Sequence, residues 1–309
     1  MIRRALVAVV AIALLAGCDD TTDEPKADPG SSTSATGSAS PSGSPSPIDP
    51  GPVVKCPKGI IEIDPALPDA VPEGATSVRL CAAAPGKVTQ PLDALTTNVT
   101  AIVQAVNGQR LVKRGCADHQ LPAYQLAFGY PDGTTFVVAG RFTYCAELLV
   151  GSARRARAKP ALDRFVRVLL DQRQASSPPA RAVDARDIGC EQPSPEWTSQ
   201  LARPVDLIVA VLCYGDPEHP EQAHRLVIRP GDLEILVASM RKDRVSTYGA
   251  LGCTYFQRND YWIVGASAWG DPISMRRGCG DLAVAPNFDW DPRGEARRIR
   301  QDLIARAHR

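Results

Sequence analysis

The chain begins with a short charged head, Met1-Ile2-Arg3-Arg4, and an unbroken apolar run from Ala5 to Leu15. A run of that length is too short to span a bilayer as a helix, so the pattern predicts an export signal over residues 1–17. From Asp19 to about Pro52 the apolar positions vanish and small and polar residues take over, "TTDEPKADPGSSTSATGSASPSGSPSPIDPGP". Nothing in that stretch can join a core, and residues 18–52 are expected to form a flexible tether. Its reach is on the order of 30 Å as a coil and about 100 Å if the prolines hold it extended.

Apolar positions then return in two kinds of period. "TSVRLCAA" around Cys81 and "LIVAVLCYG" around Cys213 are short β-type runs, each with its cysteine near the end. In "PLDALTTNVTAIVQAVNG", Leu92, Leu95, Val99, Ile102 and Val106 recur at steps of three and four, predicting an amphipathic helix that ends at Gly108. Its counterpart, "PGDLEILVASMRKD", puts Leu233, Leu236, Val237 and Met240 on one face. Next come "CADHQLPAYQLAFGYPDGTTFVVAGRFTYC" and "CTYFQRNDYWIVGASAWGDPISMRRGC", which read as hairpins turning at Pro131-Asp132-Gly133 and at Gly270-Asp271. A closing helix follows in each case, marked by Leu162, Phe165, Val166 and Leu169 and by Ile299 and Leu303, the latter started by Asp291-Pro292. The expected fold is α+β: two tandem repeated units, residues 53–173 and 188–309, joined by a linker over 174–187. Each would be a small antiparallel sheet with two helices in β-α-β-β-α order.

The cysteines strengthen the repeat. There are nine, and after Cys18 they fall as Cys56, Cys81, Cys116, Cys145 and then Cys190, Cys213, Cys253, Cys279. The spacings are 25, 35 and 29 in the first quartet and 23, 40 and 26 in the second. No pair has the spacing of a zinc knuckle, so in an exported chain these eight are expected as disulfides. If both units pair alike, three arrangements remain. Cys116 and Cys145 flank the first hairpin almost symmetrically and should meet at its open end, which leaves Cys56 with Cys81. By analogy Cys253 pairs with Cys279 and Cys190 with Cys213.

Cys18 is the odd one. It closes the stretch Leu15-Ala16-Gly17-Cys18, an aliphatic residue, two small residues and a cysteine directly after the apolar run. This stretch resembles the lipobox of bacterial lipoprotein precursors. The resemblance covers residues 1–18 alone and implies that the Cys18 thiol takes a diacylglycerol, that the signal is cut before it, and that the protein is held by lipid at the outer face of the cell membrane. Two or more acyl chains suffice for stable anchoring.

Chemistry leaves fewer marks. The histidines are His119, His219, His224 and His308, and none stands in a nucleophile or metal motif. "EHPEQAH", Glu218 to His224, brings two histidines and two acids into one loop, but Pro220 and the five-residue separation keep them off a common helix face. Asp118-His119 has no identifiable serine or cysteine partner. No catalytic residue, metal or cofactor is therefore expected. The second hairpin is rich in rings: Tyr255, Phe256, Tyr261, Trp262 and Trp269. Tyr261, Trp262 and Trp269 are candidate binding residues if exposed and core residues if not. Basic runs at Arg154, Arg155, Arg157 and Lys159 and at Arg297, Arg298 and Arg300 are solvated faces or contacts for anionic lipid headgroups or an anionic envelope polymer. With a net charge of +1, nucleic acid is not an expected partner. The sequence thus points to a membrane-anchored extracytoplasmic module that binds an envelope protein or polymer without catalysis. The alternatives are an inhibitor that docks on another enzyme and an envelope hydrolase.

Overall fold

In strand β6 (Val209–Tyr214), Ala210 and Leu212 belong to one apolar cluster and Val211 and Cys213 to another, and all four are buried. Successive residues of a strand point to opposite faces, so this sheet must be covered on both sides. The same holds for β1 (Ser77–Ala82), whose Val78 and Leu80 join the large core while Cys81 joins a small cluster with Val54 and Ala127 behind it. Helices cover one face of each sheet. The segment that leads into each first strand covers the other.

The structure is a computed structural model. It describes residues 53–309 apart from 84–87, 89, 114–120, 143–145, 180–182, 192–200, 217–218, 248–260, 276–281 and 286–287. The protein is α+β, with four α-helices and antiparallel sheets among the described residues. β1 is followed by α1 (Thr100–Asn107), β2 (Tyr124–Gly129), β3 (Thr135–Gly140), β4 (Leu148–Val150), β5 (Ala153–Arg155) and α2 (Ala158–Gln174). The strands lie in the order β1-β2-β3-β4-β5. β6 is followed by β7 (His224–Val227), α3 (Pro230–Lys242), β8 (Arg244–Ser246), β9 (Tyr261–Ala266), β10 (Pro272–Met275), β11 (Ala283–Ala285), β12 (Phe288–Trp290) and α4 (Gly294–Ala307). These form a sheet of order β10-β9-β6-β7 and a smaller one of order β11-β12-β8. Both chain segments therefore carry more strands than a β-α-β-β-α order allows. Residues 49–309 make one compact unit.

Both expected hairpins are present. β2 pairs with β3 in register Leu126 to Val138, and β9 with β10 in register Gly265 to Ile273. Their turns place Gly133 and Gly270 at φ near +81°, a backbone region that β-carbon-bearing residues avoid.

Two disulfides seal the reverse faces: Cys56–Cys81, with Cα atoms 5.6 Å apart, and Cys190–Cys213, at 5.8 Å. The pairings proposed for Cys116 with Cys145 and for Cys253 with Cys279 lie outside the described residues. Beside each described bond one buried side chain of the adjacent strand grips the leading segment. Gln125 accepts from the Ile61 N–H at 3.0 Å and donates to the Gly59 carbonyl at 3.2 Å. Trp262 stands opposite Cys213 in the β6–β9 register and donates its indole N–H to the Cys190 carbonyl at 3.0 Å. At 2% exposure Trp262 is a core residue, which removes it from the candidate contact surface.

One helix is shorter than its periodicity suggests. α1 starts at Thr100, and Leu92, expected on its apolar face, is 64% exposed. Hydrogen bonding decides this. Leu95 exchanges two backbone bonds of 2.8 Å with Val78 at the edge of β1, and the Gln172 side chain accepts from the N–H groups of Thr96 and Thr97 and donates to the Ala94 carbonyl. With its backbone groups taken by partners distant in sequence, the segment has none left to start a helix.

Removing the second disulfide with Cys190→Ala and Cys213→Ala should lower the unfolding free energy by about 3 kcal/mol, read from urea melts. Trp262→Ala should cost more, about 3 to 5 kcal/mol, because it empties the same reverse-face cluster of its largest side chain. Equal melts for the wild type and Trp262→Ala would contradict this packing.

Candidate functional site

The apolar stripe of α2 runs through Leu162, Phe165, Val166 and Leu169, and one further turn brings it to Arg173. A charged residue on the buried stripe of a helix needs compensation. Arg173 has it. Its side chain is 4% exposed, and four of its N–H groups meet two carboxylates. Nε and Nη2 donate to Asp93 at 3.0 and 2.6 Å, and Nη1 and Nη2 donate to Asp271 at 2.7 and 3.0 Å. Burial alone would favour the neutral guanidine. The two carboxylates outweigh it and raise the Arg173 pKa above its already high ordinary value.

Asp271 sits in the β9–β10 turn, at 1% side-chain exposure. The Ser267 hydroxyl donates to it at 3.0 Å and accepts from the N–H groups of Trp269 and Asp271 at 3.2 Å each. The turn is thus wired to itself before it meets α2. The Trp269 ring lies 5.0 Å from the Arg173 guanidinium carbon, a cation–π contact on a cation that already carries two bidentate pairs. The approach is close at Gly270, where a β-carbon would come within 2.6 Å of Leu92 Cδ1.

Beside this junction lies a cleft of about 720 Å³. Leu170, Arg173 and Gln174 of α2 form one wall. Ser267, Ala268 and Trp269 of the turn form another, and Leu201, Arg203 and Asp206 also line it among the described residues. Arg203 and Asp206 pair at 3.5 Å on the exposed rim, a contact of little energetic weight. Of the charged groups, Arg173, Arg203 and Asp206 line the cleft, while Asp93 and Asp271 are bonded to Arg173 beside it. The described lining carries no strong net charge.

The other candidates are scattered. Cys18, Cys116, Cys145, Cys253, Cys279, Asp118, His119, Glu218, Tyr255 and Phe256 lie outside the described residues. His219 is exposed with its ring 3.1 Å from Asp216, and His224 is exposed on β7. Among the described residues no three acids, histidines or cysteines gather as a metal site would require. Tyr261 is half-buried against the core under α3 and α4, and Trp269 is half-buried at the cleft. Of the three rings singled out, Trp269 alone lines this cleft. Arg154 pairs with the buried Glu147 at 2.7 Å, and Arg155 donates to the carbonyls of Asp69, Asn107 and Gln109, so these two serve packing. No helix among the described residues is long and apolar enough to cross a membrane.

Set against family models, curated proteins and solved structures, the chain matches none of them. The functional reading therefore rests on its own residues.

Arg173→Met should destabilise the protein by about 3 to 5 kcal/mol, since it strands a buried carboxylate. Adding Asp271→Asn should recover part of that loss. A double-mutant cycle in urea with no coupling between the two positions would show that the pair does not hold the junction.

Proposed function

We propose that the chain is a lipid-anchored extracytoplasmic binding protein whose ligand site is the cleft beside Arg173 and Trp269. The observation that carries the reading is the wired junction. Arg173 and Asp93 come from one half of the chain and Asp271 and Trp269 from the other, so the cleft wall is rigid and built jointly. Pre-organisation of this kind lowers the ordering penalty of binding.

Residues 1–52 supply the location in this proposal. The lipobox stretch ending at Cys18 attaches the chain to the membrane, and the tether holds the folded part away from it. The described disulfides support an oxidising compartment outside the cytoplasm.

The halves, in the same proposal, are copies of one unit. Each described disulfide joins a leading segment to the fifth residue of a six-residue first strand, across separations of 25 and 23 residues. Gln125 and Trp262 both stand second in the next long strand, and each donates to a carbonyl of the leading segment. The one-residue bridge between Leu111 and Arg155 has its counterpart in the pairing of β8 with β12. After duplication one copy kept Asp132 in its hairpin turn, bonded to Thr134, and the other carries Trp269 beside the cleft.

Cys18→Ala should release the protein from membranes, read by sedimentation in high salt. Retention of the variant in the pellet would refute the anchor. For the cleft, a photoreactive side chain in place of Gln174 should yield a covalent adduct with an envelope component in intact cells. The same group in place of Gln301, exposed on α4, should not. Absence of an adduct at position 174 would end the cleft reading.

A further inference from the structure

We infer that the cleft takes a neutral, hydroxyl-rich ring, a saccharide unit of an uncharged glycan, packed against Trp269. The inference rests on the cleft being the ligand site and adds the chemical class of what enters it.

Charge comes first. An anionic ligand would look for a free cation, and the buried one, Arg173, already spends four N–H groups on Asp93 and Asp271. Arg203 at the rim is matched by Asp206. With Arg173 compensated and Arg203 beside Asp206, the described lining carries no strong net charge, so charge alone selects neither an anion nor a cation. A cationic ligand would compete for Trp269 with a guanidinium that the fold has already placed there.

Trp269 is not needed by its turn. The matching turn in the other half has the same glycine at φ +81° and closes with Asp132, whose carboxylate accepts from the N–H and hydroxyl of Thr134 at 2.9 and 2.6 Å. In the second turn Ser267 and Asp271 perform that closure, which leaves the indole free of any turn-forming duty. Its ring is held in place by Arg173 on one side and by the backbone bond to Ser267. A fixed flat ring with apolar Leu170 near it suits the C–H face of a pyranose. The polar groups around it suit the hydroxyl edge: Gln174 can donate and accept, Arg203 donates and Asp206 accepts.

The test is calorimetric titration of the full-length protein, in detergent, with uncharged tetrasaccharides: cellotetraose, maltotetraose and tetra-N-acetylchitotetraose. At least one should bind, and Trp269→Ala should weaken it by about tenfold or more. Because the indole also covers Arg173, Gln174→Ala serves as a second variant. It lies at the exposed rim, and should lower saccharide affinity with no change in melting temperature. Trp269→Phe, which keeps a ring, should retain part of the affinity. Failure of all three saccharides at about 10 mM, where even millimolar affinities would register, overturns the inference. So does equal binding by wild type and Gln174→Ala, or tighter binding of an oligogalacturonate or of tetra-alanine. An adduct at position 174 in cells, together with no saccharide binding, would leave the cleft as the ligand site and discard the sugar. No adduct and no saccharide binding would discard both.

Discussion

Everything in this molecule follows from sheets whose two faces are both apolar. A strand such as β6, with Ala210 and Leu212 on one side and Val211 and Cys213 on the other, gains by burial only if both sides are covered. Helices α3 and α4 take the first side. Among the described residues the second is covered by the short leading segment at Ile188 and Cys190, with Val183 and Ala223 packed beside it. The disulfide to Cys213 makes that docking permanent, and Trp262 fills the space beneath it. The Cys56–Cys81 bond and Gln125 do the same behind β1 and β2. Closing a loop of this length limits the unfolded chain by an amount worth about 3 kcal/mol, comparable to a large part of a small domain's net stability.

The junction at Arg173 obeys a different rule. Bringing a guanidinium and two carboxylates out of water is expensive, and replacing such a group with apolar side chains is often neutral or stabilising. What the ion pairs add is geometry. Four directed N–H···O bonds leave Asp93, Asp271 and α2 with one mutual arrangement, where an apolar contact would tolerate sliding. A cleft wall benefits from that restriction, because a ligand then meets side chains already in position. By contrast Lys159–Asp163, an exposed i,i+4 pair, contributes a few tenths of a kcal/mol and restrains nothing beyond its own turn.

Tether and cleft fit together as parts of the proposed role. A binding domain fixed by lipid at the end of a long polar chain samples a shell of the envelope tens of ångströms deep without diffusing away. Its affinity for a stationary polymer can then be modest, since tethering keeps the effective concentration high. In the proposed role the half carrying Trp269 is the recognition surface, and the other half contributes the arginine that the ring packs on.

Local pattern was enough for much of this. The β-type run "LIVAVLCYG", the helical stripe of α2 and α3, the two hairpin turns and the described disulfide pairings were legible because each depends on neighbours within one element or on the spacing of like residues. The lipobox resemblance and the tether fall in residues 1–52, outside the described residues. The start of α1 was not legible, since the backbone groups of Leu95, Thr96 and Thr97 are claimed by Val78 and Gln172, far away in the chain. Nor was the choice between core and surface for the rings of β9 and its turn. Trp262 alternates with Ile263 in a strand apolar on both faces, so periodicity offers no outward side, and only the docking of Cys190 shows that the ring is enclosed. Arg173 did leave a trace, a cation on a buried stripe, yet its partner Asp271 is 98 residues away in what reads as an ordinary turn. Sequence determined which side of each element seeks burial, because that is set by the period of the backbone. The tertiary structure alone decided what each buried side meets, because a long-range ion pair exists only after the chain has closed around it.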